Sequence, residues 1–391
     1  MTEPSAARAA FGPGFLLHHQ RVYAMFFLYA ATLGGILSRI ADVQRGMDVA
    51  EGALGVGLLG MALGTQIALV LCGPLVEGLG LRRTVLAATP LLALGEIAAS
   101  MMPGIPGFFL CLMVAGIGVG MLEIVLNLEA DRAEFALGRR IMNRAHSFWS
   151  LGFFASGVSG ALGAALGLSP TINLILLNVV TLSLTLWLMS GVRPAPHRFV
   201  HAGVPTPRFV APTPAILGLV LVTLSAMLLE GAGNDWSIIY MRDTFGTPAW
   251  LSTLAFATGA LAQALTRAFA DPFIDRHGPV NVARTLLTVL GIGALVVTLS
   301  PTPWLSLLGF ALMGIGTAVL FPLAVSAAAQ RTDRPAAVNI AALAQTSFIV
   351  FLIAPPLLGF IAEHFGIRSA YGLGLPLVVL SLFLVRSLHP R

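Results

Sequence analysis

Apolar runs of roughly twenty residues follow one another along this chain, with its few charges gathered into short clusters between them. A run of that length, wound as a helix, crosses a hydrocarbon core about 30 Å thick. In lipid only helices and closed barrels satisfy every backbone polar group, and the ten-residue alternating strands of a barrel are absent. The composition agrees: 57% of the residues are hydrophobic and 10% charged, where soluble domains carry about a quarter charged residues. The fold class read from this pattern is an all-α membrane protein.

The runs predict twelve transmembrane helices, near residues 20–42, 52–76, 84–102, 107–130, 144–167, 170–191, 214–240, 250–273, 281–300, 303–328, 337–362 and 369–387. The longest polar stretch, 193–213, carries Pro194, Pro196, Pro205, Pro207 and Pro212 with His197 and His201. Proline removes helix donors and fixes φ, so this stretch reads as a cytoplasmic connector. It divides the chain into an N-terminal six-helix half, 1–192, and a C-terminal half, 214–391. The segment Met1 to Gln20 lacks the apolar core and small-residue site of a cleavable signal.

Arginine sets the orientation, since the chain contains no lysine. Even-numbered connections and the central connector hold Arg82, Arg83, Arg132, Arg139, Arg140, Arg193, Arg198, Arg208, Arg276, Arg284, Arg331 and Arg334. The opposite loops hold little beyond Arg39, Arg45, Arg242 and Arg368. By the positive-inside rule both termini are expected in the cytoplasm, as in a multi-pass protein of a bacterial inner membrane. The same arginines explain the basic balance through anionic lipid, so nucleic acid is not an expected partner. Cys72 and Cys111 fall inside apolar spans and read as helix packing, with neither disulfide nor metal spacing.

The halves repeat one another. Gly73-Pro-Leu-Val-Glu77-Gly-Leu-Gly80 after span 2 mirrors Asp271-Pro-Phe-Ile-Asp275-Arg-His-Gly278 after span 8. Gly116-Ile-Gly118 in span 4 mirrors Gly314-Ile-Gly316 in span 10. Both matches fall at one offset, 198 residues, which points to internal duplication. Two pseudo-symmetric six-helix halves around a midplane cavity are the architecture of alternating-access carriers.

Gly73 through Arg83 also resembles the loop 2–3 signature of the major facilitator superfamily: a glycine, an acid four residues on, then Gly80 and the pair Arg82-Arg83. The family's usual Asp-Arg is Glu77-Gly78 here, while the second half keeps Asp275-Arg276. The resemblance implies a cytoplasmic latch for the outward-open state, made by Gly73, Glu77, Gly80, Arg82, Arg83, Asp275 and Arg276. Leu122-Glu123 and Asn127 in span 4, Glu230-Gly-Ala-Gly-Asn234-Asp235-Trp236 in span 7 and Pro355-Pro356 to Glu363 in span 11 are similar to the fucose:proton symporter-like branch and its uncharacterised bacterial relatives. Those symporters carry a functional aspartate in span 1, where this chain has Leu37. Asp235, at the same 198-residue offset from Leu37, is a candidate substitute.

Ionisable groups inside a span cost about 2.5–3.5 kcal/mol each on insertion scales, so each asks for a reason. Glu123 is the first candidate for proton coupling, with a structural pair to an arginine such as Arg144 as the alternative. Glu230 and Asp235 are the further proton-coupling candidates. Asn127 lies one turn from Glu123, where it can fix that side chain or bind substrate. Substrate contacts are also expected of Asn234, Trp236, Gln66, Gln263, Asn339, Gln345 and His146; amides equally serve as helix glue, Trp236 as an interfacial belt residue, and His146 as a packing residue. Arg39 and Asp42, three apart, pair as an extracellular gate or a structural clip. Arg267 lies deeper than the loop arginines.

The chain lacks a P-loop, a metal-spaced cluster and a nucleophile elbow, so neither an enzyme nor an ATP-driven pump is expected. The reading is a monomeric secondary transporter that moves a small polar, sugar-like solute with the proton as coupling ion and no cofactor. Efflux of amphipathic compounds by proton antiport, and a non-transporting sensor or scaffold, are the alternatives.

Overall fold

The computed structural model describes residues 18–138, 141–192, 194–195 and 210–389. Most of the 193–213 connector, the first seventeen residues, Arg139 and Arg140 lie outside them. The first half contains α1 (His18–Leu37), α2 (Ile40–Met47), α3 (Glu51–Leu71), α4 (Gly73–Ala99), α5 (Ile105–Leu137), α6 (Met142–Ala165) and α7 (Pro170–Ser190). The second contains α8 (Pro214–Phe245), α9 (Ala249–His277), α10 (Pro279–Leu299), α11 (Pro303–Thr317), α12 (Leu320–Ala329), α13 (Ala336–Ser347), α14 (Ile349–Phe365), α15 (Ile367–Gly372) and α16 (Gly374–Leu384).

Every expected span coincides with one helix or two consecutive ones, the last ending in a 3-10 turn at Val385–Leu388. Ten of these helical stretches, among the described residues, are long and apolar enough to cross a membrane. The other two expected spans fall on α4 and α9, whose Glu77, Arg82, Arg83, Gln263, Arg267, Asp271 and Asp275 dilute the apolar content. Where one span is two helices, the break is local: α1 gives way to α2 at Ser38-Arg39, and α11 to α12 at Ala318-Val319. Several starts are written in Ser/Thr-Pro pairs. Ser169, Thr213 and Thr302 each accept the backbone N–H three residues on, and proline occupies the first helical position, where no N–H is missed.

The repeat seen in sequence is a repeat of backbone. Gly80 and Gly278, 198 residues apart, both take positive φ, 70° and 78°, with ψ of 173° and 155°. A side chain resists that conformation, so glycine is required at both turns. A Cβ on Gly116 would overlap the Met61 carbonyl of α3, and one on Gly314 the Gly259 carbonyl of α9. On the other face Gly118 meets α4 at Ala88, and Gly316 meets α10 at Leu290. In each half, paired glycines thus seat one helix between two others. Gly116→Val is expected to destabilise the fold by about 3 kcal/mol, the upper end of overpacking penalties. Gly46→Ala, in open space, should be neutral, and thermal unfolding in detergent compares them.

Contact between the halves runs along α6 with α9, α3 with α14, and α2 with α8. Glycines again permit the approach: Gly55 faces the Pro355 carbonyl, Gly359 the Glu51 carbonyl and Gly157 the Ala257 side chain.

Candidate functional site

The polar side chains in the middle of the bundle form one hydrogen-bonded chain that crosses from half to half. It begins at Tyr29 on α1, whose hydroxyl donates to Glu123 Oε1 at 2.9 Å. Asn127, one turn from Glu123 on α5, donates to Glu123 Oε2 at 2.9 Å and to its backbone carbonyl at the same distance. The Asn127 carbonyl lies 3.2 Å from His146 Nε2 on α6, and the imidazole packs edge-on against Phe26. A turn further along α6, the Ser150 hydroxyl lies 3.3 Å from the His146 carbonyl.

From Ser150 the chain passes into the second half. Ser150 donates to Gln263 Oε1 at 2.9 Å and accepts from Arg267 Nη1 at 2.8 Å, both on α9. Gln263 and Arg267 converge in turn on Glu230 of α8: the Gln263 amide donates to Oε1 at 2.8 Å, and Arg267 Nη2 lies 3.5 Å from the same oxygen. Arg267 also donates from Nε to the Ala318 carbonyl at 2.8 Å, at the α11–α12 break, with its guanidinium 5.9 Å from the Trp149 ring. That break frees the Ala318 carbonyl from the helix ladder, which is why an interior arginine finds an acceptor there. The pair is largely out of water, with 11% of the Arg267 side chain and 19% of Glu230 exposed. A small cavity opens beside Glu230, with Asn234, Gln263 and Thr317 on its polar side and Phe256 and Phe310 on its apolar side.

Of the residues expected from sequence, the fold brings together Glu123, Asn127, His146, Gln263, Glu230 and Asn234. Arg144 is exposed, and the Glu123 oxygens are held by Tyr29 and Asn127. The other expected substrate contacts lie elsewhere. Trp236 is fully buried, its ring against Gly359 of α14, and so packs two helices together. Asn339 donates to Asp333 at 2.9 Å and ties down the 331–335 turn. Gln345 accepts the Val210 N–H at 3.1 Å, holding the end of the connector. Gln66 on α3 and Asp235 on α8 are half-buried and outside the chain.

The gating expectations are also redrawn. Arg39 is buried and donates to Asp42 at 2.8 Å, to Asn173 at 3.0 Å and to the Leu168 carbonyl at 2.9 Å. All three partners belong to the first half, so Arg39 and Asp42 form a clip at the α1–α2 break. At that end, opposite the connector, the halves are joined by Arg242 and Glu363, to which the sequence assigned no gating role. Arg242 donates to the Ala41 carbonyl and to Gln44, each at 2.8 Å, and also pairs with Asp243. Glu363 accepts the Gly52 N–H at 2.9 Å, at the start of α3. At the connector end, Glu77, Arg82, Arg83, Asp275 and Arg276 are exposed, and among the described residues none pairs with another. Asn143 donates to Asp271 at 2.5 Å there, joining α6 to α9.

Tyr29, Ser150 and Arg242 carried no signal of their own in sequence. A tyrosine or serine inside a span reads as packing, and an arginine beside one reads as topology.

Residues 219–391 match the model of the Major Facilitator Superfamily. An uncharacterised transporter of Sinorhizobium fredii, y4wD, is 31% identical over 358 residues, 90% of this chain and 92% of the relative. The nucleoside transporter NupG superposes with a TM-score of 0.70 at 14% identity, covering 95% of this chain and 98% of the other. The E. coli fucose:proton symporter FucP gives 0.63 at 15% identity, covering 97% and 100%. With its two repeated halves of membrane helices, the chain belongs to the major facilitator superfamily of multi-pass membrane transporters.

Proposed function

We propose that this chain is a proton-coupled secondary transporter of a small polar solute, working by alternating access of the halves 1–192 and 214–391 about the 193–213 connector. The observation that carries the reading is the chain from Glu123 to Glu230. One carboxyl lies in each half, and Asn127, His146, Ser150, Gln263 and Arg267 link them across the surface along which the halves must move. A carboxyl inside a membrane protein is a natural proton carrier, since protonation removes a charge that lipid and protein disfavour. Glu123 exchanges the proton in this scheme. Movement of α6 against α9 breaks the Ser150 links and so senses the state of both carboxyls.

Glu230 and Asn234, one turn apart beside the Phe256 and Phe310 rings, face a cavity suited to a solute with both hydroxyls and an apolar face. The tied end, at Arg242 and Glu363, is assigned to the outside, and the end with Glu77, Arg82, Arg83, Asp275 and Arg276, which among the described residues do not pair with one another, to the cytoplasm, with both termini. In a bacterial inner membrane this is an inward-facing arrangement with its cytoplasmic latch released. Two neighbours of the fold are named for a nucleoside and for fucose with a proton, which supports a polar solute.

The test has two stages. Purified protein is screened by thermal shift against sugars, nucleosides, organic acids and amphipathic cations. Uptake of the best stabiliser into proteoliposomes is then measured with an acid exterior. Accumulation that a protonophore abolishes is the expected result. Stabilisation by amphipathic cations alone, with transport driven by the reverse gradient, would establish antiport efflux instead.

A further inference from the structure

A third carboxyl lies inside the first half and takes no part in the chain between Glu123 and Glu230. Glu96, on α4, has 0% exposure. Among the described residues, neither of its carboxyl oxygens makes a hydrogen bond. A Cβ built on Gly35 of α1 would come within 3.2 Å of Glu96 Oε2, with the Leu174 and Leu177 side chains of α7 closing the same spot. The backbone amide of Ile36 faces the carboxyl but stays outside hydrogen-bond geometry. Gly95, beside it, packs on Ala115 and Cys111 of α5.

Among the described residues, nothing in these surroundings balances a negative charge. From α1 the ionisable neighbour is Tyr29, itself bonded to Glu123. Arg39, one turn past Gly35, spends its donors on Asp42, Asn173 and the Leu168 carbonyl. From α5, Cys111 lies beside Gly95, and Glu123 is the next titratable group along the helix, neither of them a cation; the arginine of α5, Arg132, is 21 residues beyond Cys111, past Glu129 and Asp131 and before Glu134, and α7 contains no ionisable residue. An ionised carboxylate without a hydrogen bond or a counter-charge in such a place costs several kcal/mol even after relaxation, whereas a neutral acid is a modest polar group.

We propose that Glu96 is a resident proton-binding site, separate from Glu123, whose bound proton lets α1 close over α4 and α7 next to the α1–α2 break. The carboxylate takes up one proton to become a neutral acid, with no other change of bonding. The site lies among α1, α4 and α7 and not on the surface between α6 and α9, so movement between the halves leaves it covered. Glycine at position 35 makes the room that the acid needs.

Difference infrared spectroscopy of purified protein at neutral pH tests this without substrate or transport, so its outcome is independent of the function proposed above. Wild type minus Glu96→Gln should show the carbonyl stretch of a protonated acid and no carboxylate band. The carbonyl stretch should persist in Glu123→Gln, and Glu96→Asp should shift it instead of removing it. Glu96→Gln, a neutral isostere, should melt no lower than wild type. A carboxylate band in the first difference spectrum, or loss of the Glu96 carbonyl stretch in Glu123→Gln, would overturn the proposal.

Discussion

Glu123→Gln should abolish solute accumulation driven by a pH gradient while leaving exchange of solute between the two sides intact. Glutamine keeps an oxygen to accept from the Tyr29 hydroxyl, which lies 2.9 Å from Glu123 Oε1. Its amide nitrogen then replaces Glu123 Oε2 opposite the Asn127 amide, and two donors would meet there. Turning the glutamine amide over relieves this: its oxygen accepts from Asn127, which keeps its bond to the backbone carbonyl of residue 123, and its nitrogen donates to the Tyr29 hydroxyl oxygen. The variant therefore keeps the network and loses only the proton site. A gradient of one pH unit is worth about 1.4 kcal/mol per proton, or about tenfold accumulation, and that factor should fall to one. The measurement is tracer uptake into proteoliposomes with and without the gradient, beside counterflow of the same solute. Undiminished uphill uptake in the variant would remove Glu123 from the coupling role.

Arg267→Met should be the most destabilising single substitution among the polar residues of the site. The guanidinium is held by the Ala318 carbonyl, Ser150 and Glu230. Methionine fills much of the volume beside Trp149 but satisfies none of these groups. Removing one partner of a buried ion pair typically costs about 3–5 kcal/mol, mostly because the other charge is left without compensation. Glu230 keeps the Gln263 amide as a donor at 2.8 Å, which places the loss near the lower end of that range. Glu230→Gln added to Arg267→Met removes the stranded charge and should recover a large part of the melting temperature. If the double variant melts no higher than Arg267→Met alone, then the ion pair is not what Arg267 stabilises.

The same residue shows what sequence can and cannot tell. That Arg267 is deeper than the loop arginines follows from its place inside an apolar run. That it reaches Glu230, 37 positions away, depends on how α8 and α9 pack and on a carbonyl freed at Ala318. Trp236 gives the converse case. Its position beside Asn234 and Asp235 suits a ligand contact, yet a helix turns by about 100° per residue, so neighbours in sequence face different ways. Asn234 meets the cavity, and Trp236 meets Gly359. Arg39 and Asp42 were readable as a pair because they are three apart on one helical stretch. That the remaining partners of Arg39, Asn173 and Leu168, belong to the same half was not.

What the amino-acid sequence determined by itself is everything that depends on local composition and on repetition. The spans follow from the length of the apolar runs, because lipid requires each run to satisfy its own backbone. The duplication follows from glycines at one offset, and the structure expresses it as matching positive φ at Gly80 and Gly278 and matching close approaches at Gly116 and Gly314. Only the tertiary structure decided which carboxyls share a network, which arginines tie the halves together, and that Glu96 is sealed without a hydrogen-bond partner among the described residues. Those outcomes turn on which face each helix presents and on side chains that meet across long sequence separations. A uniformly apolar helix in a membrane protein carries little periodic signal for that choice, because lipid and protein interior are alike apolar. The apolar runs thus set the class of molecule. The arrangement of the few polar groups within them set the chemistry.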